Sequence, residues 1–144
     1  MSEVEIYNNL NNSLIATGLL FIGWSFLVWV AGRAVTIAIE NNAGIITKLV
    51  TTLFGLTAVW QFNNVLNFVP WNFAGAGHSL AVLKNSGTEL SARSEAFVNM
   101  TGSSAAEVPQ FSLIPSDPIV LIFILSALYP VSYTHLTLPT KRIV

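Results

Sequence analysis

No cysteine occurs anywhere in this chain. That excludes disulfides, cysteine-ligated metals and thiol nucleophiles, and it leaves the redox compartment open. Charge is nearly as scarce. Charged residues make up 9% of the sequence, where a typical globular domain carries roughly 25%. A soluble fold of this length needs more charge to cover its surface; a chain embedded in a bilayer does not. The net charge is −1, so nothing points to nucleic acid, which usually demands a basic face, and none is expected as a partner. Histidine is limited to His78 and His135. Without cysteine, so few imidazoles build neither a zinc site nor a bis-histidine haem site. There is no phosphate loop, dinucleotide fingerprint, HExxH pattern or pair of adjacent catalytic carboxylates. No cofactor, metal or catalytic residue is expected.

What is present is apolar. Hydrophobic residues reach 53% and the mean hydropathy is +0.64. The fold class predicted is an all-α integral membrane protein. After a polar segment (1–13), the first transmembrane helix is expected over 14–39, with Arg33 as its single charge. As a helix that run spans about 39 Å, against a hydrocarbon core near 30 Å. It does not have the form of a signal peptide, because Glu3 and Glu5 precede it with no Lys or Arg. A second, more polar span is expected over 45–69. Pro70 is predicted to stop it, and Trp71 suits the interface. The turn Glu40-Asn-Asn-Ala-Gly44 is tight, so the two helices should form an antiparallel hairpin.

Residues 70–117 are expected to form a long extracytoplasmic loop carrying one short surface helix near Thr88 to Met100. Ser86-Gly-Thr-Glu89 has capping-box spacing before Leu90, Ala92, Ala96 and Phe97. Ser104-Ala-Ala-Glu107 repeats the spacing, but Pro109 leaves little room for a helix. A third transmembrane helix is expected to begin at Pro118, after the start signal Asp117. Its apolar run, Ile119 to Tyr129, is too short to cross, so this helix reads as truncated within 118–130.

The reason proposed for that break lies in 131–144. Val131 to Thr140 (VSYTHLTLPT) resembles, residue for residue, one frame of the transposase mosaic end and adapter of sequencing libraries. The codons GTC TCT TAT ACA CAT CTG ACG CTG CCG ACG encode it. The adapter opens with CT two bases earlier; CCT is proline, and residue 130 is proline. A variable index can encode Lys141, Arg142 and Ile143, and the constant bases GTG TAG give Val144 and a stop. On this expectation the chain is a fragment, and His135, Lys141 and Arg142 carry no functional information. Removing Lys141 and Arg142 from the six Lys/Arg leaves four, against seven Asp/Glu.

Lysine and arginine near helix ends orient spans. Arg33 and Lys48 flank the 40–44 turn, which makes that turn cytoplasmic and the N-terminus outside. Arg33, Lys48 and Trp71 are the expected interface anchors, the two basic side chains by snorkelling. Gly18, Ser25 and Gly32 recur every seven residues and are expected to form a helix-packing seam, since small residues let helices approach closely in lipid. Thr57, Gln61 and Asn64 fall at i, i+4 and i+7 and form a polar intramembrane face, either interhelical glue or a solute path. Asn63 and Asn67 fall on other faces, which favours an interfacial zone there. Trp24, Trp29 and Trp60 are expected to face lipid or fill packing gaps. Asn99-Met-Thr101 is a possible glycosylation sequon.

Three functions fit. The first is a non-catalytic subunit or assembly component of a membrane complex. The second is the N-terminal part of a transporter or channel, and the third a membrane enzyme whose catalytic residues lie downstream. The partners expected are the lipid bilayer and other transmembrane helices.

Overall fold

A computed structural model describes the backbone of residues 1–136 and the side chains of 1–129. Four helices follow one another: α1 (Glu3–Glu40), α2 (Ile45–Asn85), α3 (Ala92–Thr101) and α4 (Pro118–Leu136), with no strand among the described residues. Most of the segment read as adapter, 137–144, lies outside the described residues. Contacts divide the chain into two compact units. One joins Met1–Leu20 to Asn67–Leu113; the other joins Phe21–Leu66 to the described residues from Ile114 onward.

The sequence predicts a polar segment before the first span, but the helix starts at Glu3. Ser2 and Glu5 explain why. The Ser2 amide donates to Glu5 Oε2 (2.6 Å), and the Glu5 amide donates to Ser2 Oγ (3.3 Å). This is a capping box that satisfies orphan donors at the helix start, with Glu3 and Glu5 favourable in the first turn. The polar stretch then earns its helix by burying Ile6 and Leu10 in the first unit's core.

The 40–44 turn has a Schellman ending. The Ala43 amide donates to Ala38 O (2.9 Å) and the Asn42 amide to Ile39 O (3.0 Å). Asn42 takes the left-handed position with φ 47, which asparagine tolerates. Within the second unit, Phe21 of α1 meets Phe62 of α2 at 5.3 Å, so pairing across this turn is antiparallel. The buried stripes are Ala31, Val35 and Ala38 on α1 and Thr52, Ala58, Val59 and Phe62 on α2. On α4, Ile124 joins Val59 and Phe62 in one apolar cluster, and Phe123 lies 5.7 Å from Phe62. Asp117 caps α4, its Oδ1 accepting from the Ile119 amide at 2.8 Å, and Pro118 occupies the first turn. The helix does not break off at Pro130; its backbone continues to Leu136.

Pro70 likewise does not end α2, which runs on to Asn85. A proline inside a helix costs about 3 kcal/mol, here by leaving the Leu66 carbonyl without its helical donor. The continuation offsets that cost through packing. Ala76 and Leu80 are buried with Ile6, Leu10 and Leu90, and Leu83, Phe97 and Val98 close around them. Burying a residue such as Leu80 contributes about 1.5–3 kcal/mol. The first part of the expected loop is therefore helix.

The short helix α3 also starts later than its predicted boundary. Ser86 ends α2 rather than opening α3: its amide donates to Val82 O (3.0 Å) and its hydroxyl to Leu83 O (2.7 Å). Gly87, at φ 91, makes the exit. The true cap is Ser91, whose Oγ accepts from the Ser94 amide, and Gly102 closes α3 in the left-handed conformation.

Candidate functional site

A set of polar side chains is brought together in the first unit, around the start of α3. Glu3 reaches it from α1. Its Oε1 accepts from the Ser91 amide (2.8 Å), and its Oε2 accepts from Ser91 Oγ (2.7 Å) and Ser94 Oγ (2.6 Å). A carboxylate at a helix N-terminus is favoured by the helix dipole. The Ser91 and Ser94 hydroxyls, then the Ser91 amide, hold the Glu3 carboxyl below its ordinary range. Tyr7 Oη lies 3.2 Å from Ser94 Oγ, and the Arg93 guanidinium sits over the Tyr7 ring at 5.7 Å. Phe97 meets Tyr7 edge-on at 5.8 Å and stacks on Phe73 at 5.9 Å. Lys84 and Glu95 form an exposed ion pair at 2.6 Å, worth little in water. The arrangement fastens α3 to α1 and α2. Every oxygen of Glu3 is occupied by a donor, so it behaves as a cap.

Sequence reasoning missed this cluster because Glu3 and Ser94 are 91 positions apart. The legible half was Ser91 followed by Ser94, a capping spacing overlooked in favour of Ser86 and Glu89.

His78 is held by a bond between its Nδ1 and Ser104 O (2.8 Å). A carbonyl only accepts, so Nδ1 carries the proton in this bond. Gly77, beside it, faces the residues that end α3 at close range. A Cβ there would press on Thr101 Oγ1, meet Ser103 Oγ at 2.5 Å and Ser103 Cβ at 3.0 Å.

In the second unit the expected polar face is only partly assembled. Thr57 is exposed and returns its hydroxyl to Leu53 O at 2.9 Å, as threonines in apolar helices do. Gln61 and Asn64 do meet: Asn64 Nδ2 donates to Gln61 Oε1 at 2.8 Å. Asn64 Oδ1 is buried and has no hydrogen-bond partner among the described residues. Asn63, and Asn67 where α2 enters the first unit, are buried, each 6% exposed. The helix packs on the face that carries them.

Of the small-residue positions, Gly18 is exposed, and Ser25 and Gly32 are half-buried. A Cβ at Gly18 or Gly32 would meet nothing within 4 Å, and Ser25 Oγ donates to Phe21 O at 2.6 Å. The seam α1 uses for its own hairpin is Ala31, Val35 and Ala38. Arg33 is exposed and Lys48 half-buried. Trp71 is 39% exposed and donates from Nε1 to Pro109 O at 3.4 Å. Asn99 is exposed on α3, but the Thr101 hydroxyl of its sequon donates back to Phe97 O (3.0 Å) and accepts from Ser103 Oγ (2.9 Å).

Among the described residues no group of three or more His, Asp or Glu is placed to hold a metal ion. Compared with protein-family models, curated proteins and solved structures, the chain matches none. What stands is an all-helical chain with two helices, α1 and α2, long and apolar enough to cross a membrane.

Proposed function

We propose that this chain is a multi-pass membrane protein acting as a non-catalytic subunit or assembly component of a membrane complex. The observation that carries the reading is the outward apolar face of α1. In its most apolar stretch only 11% is buried, and Ile22, Phe26 and Trp29 stand 60–67% exposed. The core helix of a soluble protein buries such a stripe; a helix facing lipid or partner helices does not. Gly18 and Gly32, with open space above them, suit close approach by a helix from another chain. In this reading 14–39 and 45–69 cross as an antiparallel pair, α4 forms a third span, the N-terminus lies outside and the 40–44 turn is cytoplasmic.

The cysteine-free sequence makes the test simple. Single substitutions Ser2→Cys, Asn42→Cys and Thr88→Cys, expressed in cells and treated with an impermeant maleimide, should label at Ser2 and Thr88 but not at Asn42 until the membrane is opened. Extraction of the chain by alkaline carbonate would refute membrane integration. Gly18→Leu and Gly32→Leu test assembly. A Cβ at either position meets nothing within 4 Å; the variants should keep the helix content of the parent by circular dichroism while a larger native complex shifts to lower mass.

A second reading, a solute path, is favoured by Asn64 Oδ1, a buried acceptor without a donor among the described residues. Leaving such a group unsatisfied costs about 1–3 kcal/mol, which a passing solute or water could recover. Solute flux unchanged in both Gln61→Leu and Asn64→Leu would sink that path.

A further inference from the structure

We propose that the coil from Val108 to Leu113 is a lipid-facing foot, seated in the headgroup boundary of the same bilayer that α1 and α2 cross; the inference rests on the membrane reading above. The segment and its neighbours, Val108-Pro-Gln-Phe-Ser-Leu-Ile-Pro-Ser116, carry no charge, and Glu107 and Asp117 bound them. Within the foot, Val108 is 63% exposed and Leu113 50%. Coil is costly in a less polar medium because its carbonyls need donors. Here side chains supply two of them. Gln110 Nε2 donates to Val108 O at 3.3 Å, and Trp71 Nε1 donates to Pro109 O at 3.4 Å. Pro109 adds no N–H of its own.

The foot is tied to the point where the apolar run 45–69 ends. Phe111 packs against Phe68 at 5.2 Å and edge-on to Trp71 at 5.9 Å; Phe68 and Trp71 are 6.1 Å apart. Three rings with an indole N–H turned to a carbonyl are the composition of an interfacial aromatic belt. A soluble partner would also accept the apolar tips. The continuity with the apolar run of α2 commits the site to lipid.

The test uses an environment-sensitive fluorophore on Val108→Cys and Leu113→Cys in the full chain, reconstituted in phosphatidylcholine vesicles. Phe26→Cys serves as the lipid control and Glu95→Cys as the water control. The foot predicts blue-shifted emission at both positions. It also predicts iodide quenching several-fold weaker than at Glu95, and stronger quenching by headgroup-level than by deep-chain spin-labelled lipid. Iodide quenching equal to that at Glu95, with Phe26 shielded, overturns the foot and leaves the spans intact. Shielding from both iodide and lipid quenchers also overturns it, in favour of a protein cover. An iodide-accessible Phe26 position would remove the membrane reading and the foot together.

Discussion

Replacing Gly77 by alanine should loosen α3 while the same change at Gly75 should not. Both glycines lie in α2, two residues apart, and both gain about 0.5–1 kcal/mol of helix preference as alanine. They differ in what the new Cβ meets. At Gly75 nothing lies within 4 Å. At Gly77 the methyl displaces Thr101 Oγ1 and Ser103 Oγ, and Ser103 Cβ at 3.0 Å limits how far that turn can retreat. Both hydroxyls are engaged: Thr101 with Phe97 O at 3.0 Å, Ser103 with Ala74 O at 3.3 Å. Overpacking of this kind costs about 1–3 kcal/mol. The helix-preference gain cancels between the two variants, so their difference isolates that cost. Native-state hydrogen exchange of the α3 amides reads it directly, because docking protects them. At tenfold per 1.4 kcal/mol, exchange in Gly77→Ala should be about five- to a hundred-fold faster than in Gly75→Ala. Adding Thr101→Ala and Ser103→Ala to Gly77→Ala should recover part of the protection, since the displaced hydroxyls are then gone. Equal exchange in Gly75→Ala and Gly77→Ala would refute the close contact as the reason for the glycine.

Glu3→Gln should free the start of α3, because an amide oxygen replaces two acceptors and its NH₂ faces the Ser91 amide; exchange at Ser91 to Glu95 should rise. The same bonds lower the Glu3 pKa, so their contribution is complete above the ordinary carboxylate range and fades as pH falls through the lower folded value. The acid-dependent loss of α3 protection should therefore disappear in Glu3→Gln. Asn42→Ala should destabilise the hairpin by about 1 kcal/mol, since alanine resists the left-handed conformation, and Asn42→Gly should not; thermal melts of the two variants in micelles check this. Pro70→Ala should restore a donor to the Leu66 carbonyl and stabilise α2 by up to about 3 kcal/mol, read as slower exchange over Leu66 to Ala74. Exchange left unchanged by Pro70→Ala would mean the helix loses nothing at that position.

The sequence alone settled what depends on composition and on neighbours a few residues apart. Low charge and long apolar runs gave two helices long enough to cross a membrane. Asn42 and Gly44 marked the turn, and Asp117 with Pro118 marked the start of α4. Such signals are legible because a cap or a turn is completed within about five residues. The capping box at Ser2 and Glu5 was equally local and was passed over. The tertiary structure decided the rest. Pro70 reads as a stop, yet α2 continues because burial of Ala76 and Leu80 among Ile6, Leu10 and Leu90 outweighs one lost hydrogen bond. Ser91 rather than Ser86 caps α3 because Glu3, distant in sequence, supplies acceptors to its amide and hydroxyl. The buried face of α2 took Asn63 and Asn67 and left Thr57 outside. Helical periodicity tells which residues share a face. Which face is covered depends on partners contributed by distant parts of the chain, and only the packed structure supplies them.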